Sequence, residues 1–125
     1  MPQFQSTTPD PGRWKRADGV EFDDVGVDLR YVNGTVVLAV RGEIDMATVH
    51  TLEGPLDDLD PTVRAIMDLS DVEFMDSTAL RAIFVKALTM NDVGGSLRIR
   101  NASAQVRQLL HITQLEVLLE KNAAT

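Results

Sequence analysis

The residues of this chain best suited to chemistry lie in one run, Asp68-Leu69-Ser70-Asp71-Val72-Glu73-Phe74-Met75-Asp76-Ser77-Thr78-Ala79-Leu80. Two hydroxyls, Ser77 and Thr78, follow an acid at the point where a strand-like apolar stretch gives way to a helical period. A hydroxyl at a helix start has two readings. It is a favoured N-cap, because its oxygen accepts from a backbone N–H that has no helical partner, a contribution of roughly 1 kcal/mol. The same unpaired N–H groups, with the positive end of the helix dipole, also make a good seat for an anion. A phosphate on Ser77 adds roughly two negative charges where the fold tolerates them, and any partner docking there meets a large charge to desolvate.

Other constellations carry less. Asp68, Asp71, Glu73 and Asp76 are hard oxygen donors of the kind Mg²⁺ takes. Their spacing fixes no coordination geometry, so no metal site is expected. His50 and His111 stand alone in sequence and read as surface residues. Asp57, Asp58 and Asp60 read as a solvated helix end. No nucleophile, base and orienting group occur together, so no catalytic residue is assigned and no enzyme is expected. A glycine-rich phosphate loop is missing as well, since Gly94-Gly95 reads as a helix stop, and no cofactor is expected.

Composition narrows the class. The chain has 125 residues, enough for one domain with a sustained core; 44% are apolar and 25% charged, as in ordinary globular proteins. A net charge of −7 argues against nucleic acid and against an anionic membrane surface as partners. The absence of cysteine excludes disulfides, thiolate nucleophiles and Cys-ligated zinc. With no basic start followed by an apolar run, and no stretch near the ~20 apolar residues that span a bilayer, a cytoplasmic location is expected.

The elements that must position Ser77 follow from periodicity. Residues 1–23, rich in proline and small polar residues, read as a flexible tail in which Trp14 or Phe22 is able to dock on the domain; residues 24–125 read as the domain. Val25, Val27, Leu29 and Tyr31 alternate with polar residues or glycine, as in a half-buried strand. Asn33-Gly34 predicts a tight hairpin turn. The apolar run Val36–Val40 predicts a central strand covered on both faces. Val49, Leu52, Leu56 and Leu59 predict a helix over 47–59 that Pro55 kinks or interrupts. Ala65, Ile66, Met67 and Leu69 predict a short buried strand ending near Asp68, with a loop before the helix that starts at Ser77 or Thr78. In that helix Leu80, Ile83, Phe84, Ala87 and Leu88 form an inward stripe. A strand around Leu97 and Ile99 follows, then a helix over 103–111 with Val106, Leu109 and Leu110 inward. Leu115–Leu119 make a last strand or short helix, and Met67, Met75 and Met90 are core filler. Alternating strands and helices after a hairpin give an α/β fold with a small mixed sheet and three to four helices.

Four of these segments, in order and correctly spaced over about residues 25–120, resemble the STAS domain of bacterial anti-sigma-factor antagonists. Asp76-Ser77-Thr78-Ala79-Leu80 is similar to that family's Asp-Ser-Ser/Thr-Gly-Leu signature. Val36–Val40 with Gly42-Glu43-Ile44-Asp45 resembles its strand and Gly-Glu-Leu-Asp turn. Ile66-Met67-Asp68-Leu69-Ser70 resembles its strand end, and Phe74-Met75 its apolar dipeptide. The resemblance implies that Ser77 is the serine phosphorylated by the anti-sigma factor, itself an ATP-dependent kinase. It implies that Asp76 orients that hydroxyl, that Thr78 is a secondary phosphosite, and that Glu43 and Asp45 lie near the partner-binding face. The unphosphorylated protein, expected as a monomer, then binds the anti-sigma factor and frees a sigma factor, and a serine phosphatase restores it. An adaptor of a transporter ATPase or a larger signalling assembly, without a phosphoswitch, is the alternative within the family; a small-molecule binding domain is a third. Ala79 departs from the family glycine. It favours the helix by about 1 kcal/mol, and its Cβ is expected to slow phosphorylation. Response-regulator receivers share the length and acidity, but Lys86 falls mid-helix and Arg100-Asn101 follow Ile99, so that pattern fails.

Overall fold

The computed structural model describes residues 25–120, so the tail expected over residues 1–23 lies outside the described residues. Two strands open the domain, β1 (Gly26–Val32) and β2 (Thr35–Ile44). They form an antiparallel hairpin around Asn33 and Gly34, whose φ values of 51° and 82° are those the Asn-Gly turn requires. Then follow helix α1 (Val49–Asp58), β3 (Arg64–Met75), α2 (Ser77–Asp92), β4 (Ser96–Arg100) and α3 (Ala104–Ile112). The sheet order is β1-β2-β3-β4, with β2, β3 and β4 parallel. The chain after α3 makes a 3₁₀ turn at Glu116–Leu118, and Leu119 then bridges Ile99 in parallel. That end is therefore a short helix followed by a single ladder contact.

One apolar cluster holds the domain. Leu38, Met67, Leu97 and Ile99 from the sheet join Leu52, Leu80, Ile83 and Leu110 from the helices, all at 1% exposure or less. Each such side chain contributes roughly 1.5–3 kcal/mol by leaving water. Met67, Met75 and Met90 are fully buried, the core role their composition suggested. Gly95 allows the turn between α2 and β4, because a Cβ there would strike the Pro61 carbonyl oxygen.

Several expectations need correction. Among the described residues the helices pack against only one face of the sheet, so β2 is central but has helices on one side alone; Val37 and Ala39 on its far face are half-buried. Val25, just before β1, and Val27 within it pack on the core, but Leu29 is 45% and Tyr31 77% exposed, since β1 is the edge strand and its far end projects beyond the helices. Helix α1 continues through Pro55 without interruption, although the proline removes the N–H that would have paired with the Thr51 carbonyl. In α2 the buried residues are Ala79, Leu80, Ile83, Ala87 and Met90. Phe84 is half-buried and Leu88 half-exposed, so the stripe is narrower than the periodicity suggested. Leu109 is likewise only half-buried. The largest difference is β3, which does not end near Asp68 but continues to Met75. Leu69, Val72 and Met75 keep turning inward at three-residue steps because the β2–β3 ladder slips register twice, and each slip lets polar residues face out.

Candidate functional site

The site forms where β2 and β3 end side by side. Ile44 and Met75, the last ladder partners, are both fully buried. An aspartate follows each directly, and the Asp76 N–H donates to the Ile44 carbonyl at 3.0 Å. Two strand–Asp–helix joints thus sit next to each other.

Asp45 organises the first joint. Its Oδ1 accepts from the N–H groups of Ala47 at 2.9 Å and Thr48 at 3.1 Å. The Thr48 hydroxyl accepts from the Asp45 N–H at 3.0 Å and donates to the Glu43 carbonyl at 2.9 Å. This closes the turn before α1 with its backbone groups satisfied. Glu43 itself is exposed, opposite Phe74 across a bulged ladder. Gly42 permits the bulge, with φ at 102° and room for a Cβ limited by the Val25 backbone at 3.0 Å.

Asp76 organises the second. It is the N-cap of α2, with Oδ1 accepting from the Ala79 N–H at 3.1 Å. Its Oδ2 reaches across to the Met46 N–H, also at 3.1 Å, tying the two joints together. Both carboxylate oxygens are therefore engaged by the backbone, and Asp76 does not orient the serine hydroxyl by a hydrogen bond. It orients the residue instead, by setting where α2 begins.

Ser77 is consequently the first helical residue and not the cap. It is exposed, and among the described residues its hydroxyl has no hydrogen-bond partner. The capping explanation for a serine here passes to its neighbour. Thr78 is half-buried and faces elsewhere. Ser77 borders a shallow depression of about 270 Å³ with Leu80, Phe84, Thr113 and Leu115, whereas Thr78 borders a groove of about 560 Å³ between α1 and α2 with Glu53, Leu56 and Lys86. Arg81 lines both. Ala79 is fully buried, so its Cβ packs into the core and not on the surface beside Ser77. Met46 and Phe74, 75% and 40% exposed, add apolar surface to the same end of the sheet. Periodicity missed both because turn and bulge geometry, not spacing, turns them outward.

The acids do not assemble a metal site: among the described residues no three His, Asp or Glu groups converge. Asp68 accepts from the Ser70 N–H at 3.0 Å and the Asn101 amide at 3.3 Å. Partial burial pushes its carboxyl upward, but those hydrogen bonds and the Arg100 charge outweigh it and hold the group below its ordinary value. His111, exposed, contacts the Glu116 carboxylate at 2.7 Å, which lowers the pKa of that acid. None of the helices among the described residues is long and apolar enough to cross a membrane.

Comparison with known proteins agrees with this architecture. The anti-sigma-B factor antagonist of Bacillus subtilis is 31% identical over 104 residues, covering 80% of this chain and 93% of that protein. The anti-sigma-F factor antagonist RsfB of Mycobacterium tuberculosis is 30% identical over 98 residues, covering 75% and 78%. The crystal structure of an anti-sigma factor antagonist from Mycobacterium paratuberculosis superposes with a TM-score of 0.66 at 27% identity, over 78% of this chain and 84% of that one. The STAS domain model matches residues 27–123, which include all of the elements described above but the first residue of β1, and the chain belongs to the STAS domain family.

Proposed function

We propose that this chain is an anti-sigma-factor antagonist whose unphosphorylated form binds an anti-sigma factor and frees a sigma factor, and that phosphorylation of Ser77 abolishes the binding. The named relatives support the first part. One observation carries the second: Ser77 is exposed at the positive end of α2 with its hydroxyl unengaged among the described residues, because Asp76 does the capping. A phosphate there leaves the helix start intact and places its charge beside the apolar surface of Met46 and Phe74, where a partner would have to desolvate it.

In this reading the anti-sigma factor is an ATP-dependent serine kinase, a serine phosphatase resets the switch, and the exchange takes place in the cytoplasm. The chain is a regulatory substrate and not an enzyme. Glu43 meets the partner directly, while Asp45 and Asp76 hold the surface in shape. Thr78, half-buried in the other groove, is the lesser phosphosite. The test is incubation of the wild type and Ser77→Ala with candidate anti-sigma kinases and ATP, read by intact mass and site mapping. One phosphate on the wild type and none on Ser77→Ala is expected. Ser77→Ala should bind its partner constitutively, and Ser77→Asp should bind several-fold more weakly or worse. A Ser77→Asp variant that binds as tightly as wild type would remove the switch and favour a phosphate-independent adaptor.

A further inference from the structure

Arg81 stands beside Ser77 with its charge unspent. It is exposed, and among the described residues it makes no hydrogen bond and has no carboxylate within ion-pair distance. It follows Ser77 by four residues in α2, so the two side chains rise on one face of the helix with Cβ atoms about 5–6 Å apart. Both border the depression of about 270 Å³, whose other walls, Leu80, Phe84, Thr113 and Leu115, carry no charge. Arg81 also borders the groove between α1 and α2, with Glu53, Asp57 and Lys86. Lys86 is committed there, donating to the Leu59 carbonyl at 3.0 Å. The arginine thus lies between two surfaces and is fixed to neither.

A phosphate on Ser77 would change that balance. It brings close to two negative charges and three acceptor oxygens, and a guanidinium binds two such oxygens at once through its planar fork. The order along the helix is the favourable one, with the anion first and the cation four residues later. The nearby acids do not compete for Arg81. Both Asp76 oxygens accept from backbone, the Ala79 and Met46 N–H groups, and Glu53 and Asp57 line the other groove without reaching the guanidinium. No carboxylate lines the Ser77 depression itself.

We propose that phosphorylated Ser77 pairs with Arg81, drawing the guanidinium over the Ser77 depression and out of the α1–α2 groove. The modification then alters the surface twice, by adding a dianion and by consuming a cation that a partner could otherwise meet. This rests on Ser77 being the modified residue, but its test needs no kinase. Phosphoserine is placed at position 77 of the full-length chain during translation, by suppression of a stop codon, in the wild type, Arg81→Gln and Arg81→Lys. Arg81 is exposed and holds no hydrogen bond among the described residues, so these variants keep the fold. In phosphorus-31 NMR the second ionisation of the phosphate should fall at a pH lower by about 0.3–0.5 in the wild type than in Arg81→Gln, the size of an exposed i,i+4 pair. Arg81→Lys, which keeps the charge and loses the fork, should lie between them. The Arg81 Nε–Hε signal should also move between the unmodified and the phosphorylated chain. Equal phosphate titrations in the wild type and Arg81→Gln, or an unmoved Nε–Hε signal, overturn the pairing. So does an Arg81→Lys variant that titrates with Arg81→Gln, because charge is then not the cause. Failure of the switch reads out separately, as a phosphorylated chain that binds an anti-sigma factor as tightly as the unmodified one.

Discussion

Replacing Asp76 tests the site's construction, because one side chain caps α2 and ties the two joints together. In Asp76→Ala the Ala79 N–H loses its cap, an effect of about 1 kcal/mol. The Met46 N–H loses a bond to an ionised group, worth about 1.5 kcal/mol at the low end for an exposed partner. The sum, roughly 2–3 kcal/mol, corresponds to a fall in Tm of about 8–12 °C for a domain of this size. Asp76→Asn separates the two contributions. Its amide oxygen still caps α2, but the NH₂ group then faces the Met46 N–H, donor against donor, so a loss of roughly 1–1.5 kcal/mol is expected. Urea titration followed by far-UV circular dichroism measures both, with an unchanged m-value marking a true stability effect. Amide exchange locates it: Ala79 and Met46 should both exchange faster in the alanine variant, and only Met46 in the asparagine variant. A loss below about 0.5 kcal/mol in Asp76→Ala, or unaltered exchange at Met46, would refute the reasoning.

Two further outcomes follow from the same geometry. Ala79→Gly should destabilise the domain by about 1–2 kcal/mol, from helix propensity and a lost buried methyl, and leave the rate of Ser77 phosphorylation unchanged; a faster rate would show that the Cβ obstructs the kinase after all. Asp68 should contribute to acid sensitivity, since its folded pKa lies below the ordinary value of 3.8. Its stabilising contribution is complete above that value and is lost as the pH falls through the lowered folded one. Asp68→Asn should therefore be less stable than wild type at pH 7 but lose less on acidification from pH 5 to pH 3; parallel acid profiles for the two proteins would count against it.

Local chemistry in the chain is enough for much of this protein. Asn33-Gly34 demands positive φ at two successive residues and so dictates the hairpin. Leu80, Ile83 and Ala87 fall at helical spacing and specify α2, and an acid followed by two hydroxyls marks the helix start. These are short-range effects, decided by a residue and its neighbours within about four positions. Which group caps and which stands free was not decided there, because Asp76, Ser77 and Thr78 are all competent N-caps. The choice came from the Ile44 carbonyl and the Met46 N–H, which belong to another strand and loop and fix Asp76 as the joint. The same holds for β3, whose last residues read as a loop until two ladder slips accommodate them, for Leu29 and Tyr31, which share the covered face with Leu38 and Val36 but lie on the edge strand beyond the helices, and for Leu88, apolar in pattern but half-exposed. Burial depends on what lies opposite, and that is a property of contacts between residues distant in sequence, visible only once the strands and helices are brought together.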